Sequence, residues 1–112
     1  MGVQKMTLSP GDGSTKPSTG DTVTIEYTGY LFDASQPENK GNVFDSSVGR
    51  GPFKTKIGVG QVIKGWDEGI IGNAQQEGMT LGEKATLLIS SDYAYGSRGF
   101  PGHIPPNADL IL

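Results

Sequence analysis

Alternation of apolar and polar side chains predicts several short strands along this chain. The clearest case is residues 22–27, where Val23, Ile25 and Tyr27 share one face and the threonines and glutamate between them share the other. This pattern is typical of a strand with one buried and one solvated face. We expect that strand to continue to residue 32. Further strands are predicted at residues 3–8 (a weak edge strand), 53–57, 84–90 and 110–112.

One segment follows a helical period instead. Ile63, Trp66 and Ile70 are three and four residues apart, which places their side chains on one side of a short helix over residues 64–71. The Gly-Asn pair that follows is expected to end the helix with a left-handed cap. A lone tryptophan is usually a core residue, but one at a helix start behind an open glycine loop also suits the floor of an apolar pocket. The helix pattern alone leaves both roles open.

The remaining segments are polar and rich in turn-forming residues. Eighteen glycines and seven prolines are too many for a helical bundle and indicate turns between short strands. Surface loops are predicted at residues 11–20, 33–42 and 73–78, with ordered chain resuming at 43–45 and an irregular segment at 92–106. The predicted class is therefore α+β, an antiparallel sheet with one short helix packed on one face.

Composition narrows the functional classes. The length of 112 residues indicates one domain, and the absence of cysteine excludes disulfides and thiolate chemistry. No apolar run approaches the length of a membrane span, and the formal net charge of −3 argues against nucleic acid, which is bound through clustered Lys and Arg. We expect a cytoplasmic domain with neither a membrane nor a nucleic-acid partner.

Several catalytic constellations are also missing. His103 is the only histidine, and no serine stands in a strained Gly-x-Ser-x-Gly turn to complete a triad, so an exposed loop position is the favoured role for His103. One histidine and dispersed carboxylates give no metal-ligand spacing. The run at residues 58–63 begins like a dinucleotide fingerprint but lacks the third glycine and a βαβ frame. No metal and no cofactor are expected.

Five motifs occur together in one order. They are YTG at residues 27–29, FDSS at 44–47, VIKGW at 62–66, DYAYG at 92–96 and IPPNA at 104–108. Each is weak alone, but five in register are specific. The combination resembles the small single-domain members of the FKBP family, the peptidyl-prolyl cis-trans isomerases that bind tacrolimus and rapamycin. The resemblance covers residues 2–112.

The resemblance implies a five- to six-stranded antiparallel sheet wrapped around one short helix, with a pocket between them. Trp66 corresponds to the indole at the pocket floor, and Phe100 and Ile104 correspond to a loop that closes over the site. Leu112 stands where the family commonly carries an aromatic wall residue. The implied set of substrate- or drug-binding residues is Tyr27, Phe44, Asp45, Arg50, Phe53, Gln61, Val62, Ile63, Trp66, Tyr95, Phe100, Ile104 and Leu112.

The resemblance also implies roles for polar groups. The backbone N–H of Ile63 and the hydroxyl of Tyr95 correspond to donors toward ligand carbonyls. Asp45 corresponds to a buried pocket carboxylate with Arg50 as its ion partner. Catalytic roles are implied for Asp45, Tyr95 and Trp66. Asp45 either polarises the twisted amide or only ties Arg50 and the tyrosines in place, and the sequence leaves both open.

Such a site needs no nucleophile. Rotation about a prolyl bond is slow because twisting breaks amide resonance, and the twisted amide is less polar and less well hydrated than the planar one. An apolar aromatic pocket therefore favours the twisted form relative to the ground state. The expected function is prolyl isomerisation, together with a role as the receptor for tacrolimus and rapamycin. The alternative is a proline- or macrolide-binding module that acts by recruiting partners.

Further expectations come with the resemblance. When drug-loaded, the domain would present a composite surface to calcineurin or to the TOR kinase. A monomer is expected, with weak self-association in which the loop around Pro101, Pro105 and Pro106 enters a neighbour's pocket. The loops at residues 33–42 and 72–78 are longer than in the shortest family members. Because the family continues with one more strand, we expect the domain over residues 1–112 to lack that last strand.

Overall fold

Two antiparallel sheets and one helix make up the fold, and the computed structural model describes residues 2–112. Five strands form the larger sheet in the order β1-β6-β7-β3-β4, and β2 and β5 form a two-stranded sheet. The strands are β1 (Val3–Ser9), β2 (Thr22–Ile25), β3 (Thr28–Phe32), β4 (Lys40–Ser46), β5 (Phe53–Lys56), β6 (Lys84–Ile89) and β7 (Leu110–Ile111). The predicted α+β class is confirmed.

The helix α1 (Lys64–Ile71) has the predicted bounds and packs its apolar side onto the sheet. Two glycines allow the close approach. A Cβ at Gly65 would lie 2.5 Å from Cγ2 of Ile89, and one at Gly69 would lie 2.8 Å from Cδ1 of Leu87. Gly72, at φ +99°, ends the helix and donates its N–H to the carbonyl of Glu68. Because Gly65 and Gly69 lie one turn apart, the helix backbone rests directly on β6.

The expected continuous strand over residues 22–32 is wrong. β2 ends at Ile25 and pairs with β5, whereas β3 begins at Thr28 and pairs with β4 and β7. The break falls at Tyr27 because its backbone bonds elsewhere. Its N–H donates to Ser47 Oγ at 2.9 Å, and its carbonyl accepts from the Ser47 N–H at 2.9 Å. Tyr27 therefore belongs to neither ladder, and the chain turns there from one sheet into the other.

The polar excursion expected at residues 33–42 is shorter, because β4 already begins at Lys40. The loop closes on itself: Asp33 donates its N–H to the carbonyl of Asn39 at 2.8 Å, and Glu38 and Asn39 adopt positive φ. This closure restores the strand pairing of Lys40 with Phe32. Within residues 2–112, no helix is long and apolar enough to cross a bilayer.

Candidate functional site

Three aromatic rings meet where the two-stranded sheet faces the start of α1, and we call Tyr27, Phe53 and Trp66 the aromatic cup. The ring centroids of Tyr27 and Trp66 lie 4.9 Å apart with the planes at 82°. Phe53 lies 5.9 Å from Trp66 and 6.2 Å from Tyr27. Trp66 exposes 8 % of its surface and Phe53 exposes 38 %. The indole thus belongs to the core and is contacted by Tyr27 and by the more exposed Phe53.

Asp45 is joined to the cup by a hydrogen bond. The Tyr27 hydroxyl donates to Asp45 Oδ2 at 2.5 Å, and Arg50 Nη2 donates to Asp45 Oδ1 at 2.9 Å. The expected ion pair with Arg50 is therefore present. The expectation of a buried carboxylate is wrong, since the Asp45 side chain is 43 % exposed. The bonds to the carboxylate lie at the rim of the cup, where water also reaches.

Opposing effects set the pKa of the Asp45 carboxyl group. Burial raises the pKa of Asp45, but hydrogen bonds from Tyr27 and the Ser46 N–H, with the positive charge of Arg50, outweigh it, and the net pKa lies below the ordinary value. Burial, followed by the hydrogen bond to Asp45, raises the pKa of the Tyr27 hydroxyl. Asp45 is therefore a carboxylate and Tyr27 a neutral donor at neutral pH.

A β-bulge in β4 places Phe44 beside Asp45. Asp45 pairs with Gly29, but the next pair is Tyr30 with Val43, so Phe44 is an extra residue in the strand. In a regular strand, adjacent side chains point to opposite faces, and a bulge removes that constraint. The Phe44 ring lies over Gly29, where a Cβ would be 2.5 Å from its Cζ. The side chains of Phe44 and Asp45 thus lie on the same side of the sheet.

Two serines hold this arrangement, and sequence reasoning assigned them no role. Ser47 is buried and bonds both the N–H and the carbonyl of Tyr27. Ser46 Oγ lies 3.0 Å from the Thr28 hydroxyl and accepts the Val48 N–H at 3.1 Å. The only signal in the sequence was their membership of the FDSS motif. Their hydroxyls fix the Tyr27 backbone, and through it the direction of the phenol.

The segment before the helix presents a free donor. Among the described residues, no acceptor is bonded to the Ile63 N–H, although the Ile63 carbonyl accepts from the first turn of α1. Val62 and Ile63 pack partly buried against the core that contains Trp66. Asp67, a third residue that sequence reasoning missed, accepts the N–H of Gly58 at 2.7 Å and of Gly60 at 3.1 Å. Asp67 thereby fixes the loop that leads to Ile63.

The loop after β6 supplies the remaining aromatics. Tyr95 contacts Phe100 edge-on at 5.8 Å between centroids. Burial, and then the negative charge of Asp45, raises the pKa of the Tyr95 hydroxyl, so the two groups share one electrostatic environment. Phe100 is 49 % exposed, whereas Ile104 is only 4 % exposed and belongs to the core. Paired backbone bonds join Phe100 and Ile104, and the expectation that their loop closes over the site stays a prediction.

Two further residues expected at the site are Leu112 and Gln61. Leu112 packs beside Phe44 against Gly29, and its place in the wall of the site stays a prediction. Gln61 Oε1 lies 3.4 Å from both Thr55 Oγ1 and the Lys56 N–H, and its part in the site stays a prediction. Two grooves of about 480 and 490 Å³ lie elsewhere, over residues 98–106 and beside residues 71–78. Trp66 lines neither of these two grooves, and the expected pocket between helix and sheet stays a prediction.

The chain resembles known proteins along almost its whole length. A family model described as FKBP-type peptidyl-prolyl cis-trans isomerase matches residues 13–112. FK506-binding protein 1B of Neurospora crassa is 60% identical over 112 residues, covering 100% of this chain and 93% of that protein. FK506-binding protein 1 of Rhizopus delemar is 55% identical and covers 98% and 91%. The crystal structure of AtFKBP13 superposes with a TM-score of 0.85 at 36% identity, covering 97% and 86%.

Proposed function

This chain belongs to the FKBP-type peptidyl-prolyl cis-trans isomerase family, and we propose that its isomerase activity resides at the aromatic cup with Asp45, Tyr95 and the Ile63 N–H. The observation that carries this proposal is the junction of Trp66, Tyr27 and Asp45. An apolar ring surface and a fixed carboxylate meet there within the length of one phenol side chain. A proline ring can lie on the aromatic rings with its amide bond beside the carboxylate.

The cup favours the transition state through solvation. The planar amide is more polar and better hydrated than the twisted one, so moving the bond from water onto aromatic rings raises the ground state more than the transition state. Only such differential binding raises turnover. A ten-thousandfold acceleration corresponds to about 5.4 kcal/mol, which desolvation and one or two aimed hydrogen bonds can provide. Trp66 and Phe53 supply the apolar surface.

Two donors hold the flanking carbonyls. The Ile63 N–H lies just before α1 and has no bonded acceptor among the described residues, and the following peptide unit is held because the Ile63 carbonyl accepts from the first turn of the helix. The Tyr95 hydroxyl is the second donor and stays protonated well above neutral pH, because burial and Asp45 raise its pKa. Fixing both sides of the prolyl bond leaves rotation about that bond as the remaining motion.

Asp45 has two possible roles, and both use the geometry described. Its lowered pKa keeps a negative charge beside the bond that twists, where it can polarise the amide. Its bonds to Tyr27 and Arg50 also orient the phenol that forms one side of the cup. The Asp45→Val variant, described in the Discussion, separates the two.

The relatives named FK506-binding protein support a second use of the same surface. We propose that this chain binds FK506 (tacrolimus) and rapamycin at the cup, and that the loaded domain engages calcineurin or the TOR kinase in the cytoplasm. Exposed Phe53 and Phe100 would lie at the edge of the bound drug. Their exposed rings would then form part of the composite surface.

A proline-isomerisation assay on a short X-Pro peptide, with and without rapamycin, tests the proposal. We expect acceleration that rapamycin abolishes at one molar equivalent. Binding of rapamycin without any acceleration would leave only the alternative of a recruiting module.

Weak self-association through the exposed prolines of residues 101–106 predicts concentration-dependent NMR shifts confined to Trp66 and that loop. Shifts spread over the whole surface would contradict self-association through this loop.

A further inference from the structure

A groove of about 480 Å³ is lined by Arg98 and residues 101–106, and the His103 ring in its wall contacts Phe100. Its walls include Pro101, Pro105 and Pro106. Proline has no backbone N–H, so these three positions contribute apolar surface and no donor. The polar recognition available in this groove therefore rests largely on two side chains, the cationic Arg98 and His103. We call it the Arg98 groove.

The positive charge of Arg98 is uncompensated. Between residues 94 and 108 the sequence contains Arg98 and His103 but no aspartate or glutamate. In the described part of the chain, no carboxylate forms an ion pair with Arg98 or His103. Both side chains are exposed. A cationic spot thus stands beside the proposed site of a chain whose formal net charge is −3.

The groove adjoins Tyr95 of the proposed site through the ring of Phe100. Phe100 contacts Tyr95 on one side, at 5.8 Å between centroids, and His103 on the other, at 5.4 Å. An extended polypeptide advances roughly 3.3 to 3.6 Å per residue. A segment that leaves Tyr95 and passes over Phe100 therefore reaches the groove after about three residues.

We propose that the Arg98 groove selects an acidic side chain in the substrate polypeptide, two to four residues from the isomerised proline. This inference rests on the proposed function and adds a sequence preference to it. The aliphatic part of a glutamate matches the proline walls, and its carboxylate matches the fork of Arg98 donors. Arg98 is a specificity-determining residue here and takes no part in bond rotation.

The test compares kcat/KM for peptides that differ at one position. The series carries Glu, Gln or Lys two, three or four residues from the proline, on either side. At low ionic strength we expect the wild-type protein to prefer Glu over Gln by about two- to fivefold at one or more positions, as an exposed ion pair allows. The preference is expected to shrink as salt is added.

Variants assign that preference to the groove. Arg98→Gln is expected to bring the Glu/Gln ratio close to one, Arg98→Lys to retain part of it, and His103→Gln to reduce it. Lys84→Gln removes the same unit of charge from the exposed start of β6 and is the matched control, with an unchanged ratio. A drop in the ratio for Lys84→Gln as large as that for Arg98→Gln would show that net charge, and no groove, causes the preference.

Two kinds of failure are distinguishable. If no peptide is isomerised faster than in buffer, the proposed function itself fails. If all peptides are accelerated equally, or if Arg98→Gln keeps the wild-type ratio at every position, the isomerase proposal stands and the acidic preference is overturned.

Discussion

Removal of the Asp67 carboxylate tests whether the loop before α1 is held by side-chain bonds. The two oxygens accept the N–H groups of Gly58 and Gly60 at 2.7 and 3.1 Å. Both glycines have φ near +80°, so the loop adopts a conformation that few other residues would share. Asp67 also lies in the first turn of the helix, where a negative charge is favourable.

The expected loss can be worked from these contacts. A hydrogen bond to a charged group contributes about 1.5 to 3 kcal/mol when buried, and less here because Gly60 is exposed and water can replace the carboxylate. Loss of charge at the helix N-terminus adds about 0.3 to 1 kcal/mol. Asp67→Ala should therefore lower the free energy of unfolding by about 2 to 3 kcal/mol, or roughly 10 °C in Tm for a domain of this size. Asp67→Asn keeps one acceptor and should lose about half of that.

Urea unfolding and NMR together check this reasoning. The amide protons of Gly58 and Gly60 should lose protection from exchange, and the affinity for rapamycin should fall several-fold because the Ile63 N–H is presented by the same loop. Glu68→Gln is the matched control on the same helix and should change the free energy of unfolding by less than about 1 kcal/mol, since its ion pair with Lys64 is 3.7 Å long. If Asp67→Ala stays within about 0.5 kcal/mol of wild type, the carboxylate does not hold the loop.

Four further predictions follow from the site. Trp66→Ala should weaken rapamycin binding at least tenfold in calorimetry, and unchanged affinity would remove the indole from the site. Asp45→Val should reduce turnover tenfold or more. The free energy of unfolding should change by less than about 1 kcal/mol, because the ion pair between Asp45 and Arg50 is exposed. Unchanged turnover would leave Asp45 an orienting role at most. Gly29→Ala should lower the free energy of unfolding by about 1 to 3 kcal/mol and lower turnover, because its Cβ would lie 2.5 Å from Phe44 and 2.6 Å from Leu112. A Gly29→Ala/Phe44→Leu double variant should recover part of the lost stability. Strict additivity of the two single changes would contradict the contact. The folded pKa of Asp45 is lowered, so its stabilising contribution is present above the ordinary Asp pKa of about 3.9 and disappears as pH falls through the lower folded value. The stability difference between wild type and Asp45→Asn should accordingly be constant from pH 8 to 5 and shrink below about pH 4, and a constant difference down to pH 2 would contradict the lowered pKa.

Local elements were predictable because their causes are local. The helix Lys64–Ile71 was placed with its bounds, since the three-and-four spacing of its apolar residues and the glycine after it all lie within one short window. The strand Lys84–Ile89 was recognised from alternation for the same reason. The set of site residues came from five short motifs in register. Their order along the chain carried information that no single alternation or spacing contains.

The tertiary structure decided where these pieces meet. The strand break at Tyr27 depends on Ser47, twenty residues later in the chain. The bulge that turns Phe44 beside Asp45 is a mismatch of register between two strands, which neither strand encodes alone. The exposure of Asp45 likewise depends on which atoms surround it, and no residue type specifies that. The sequence by itself thus determined the elements and the chemical groups, because these follow from neighbours along the chain, whereas contacts between distant segments determined their geometry.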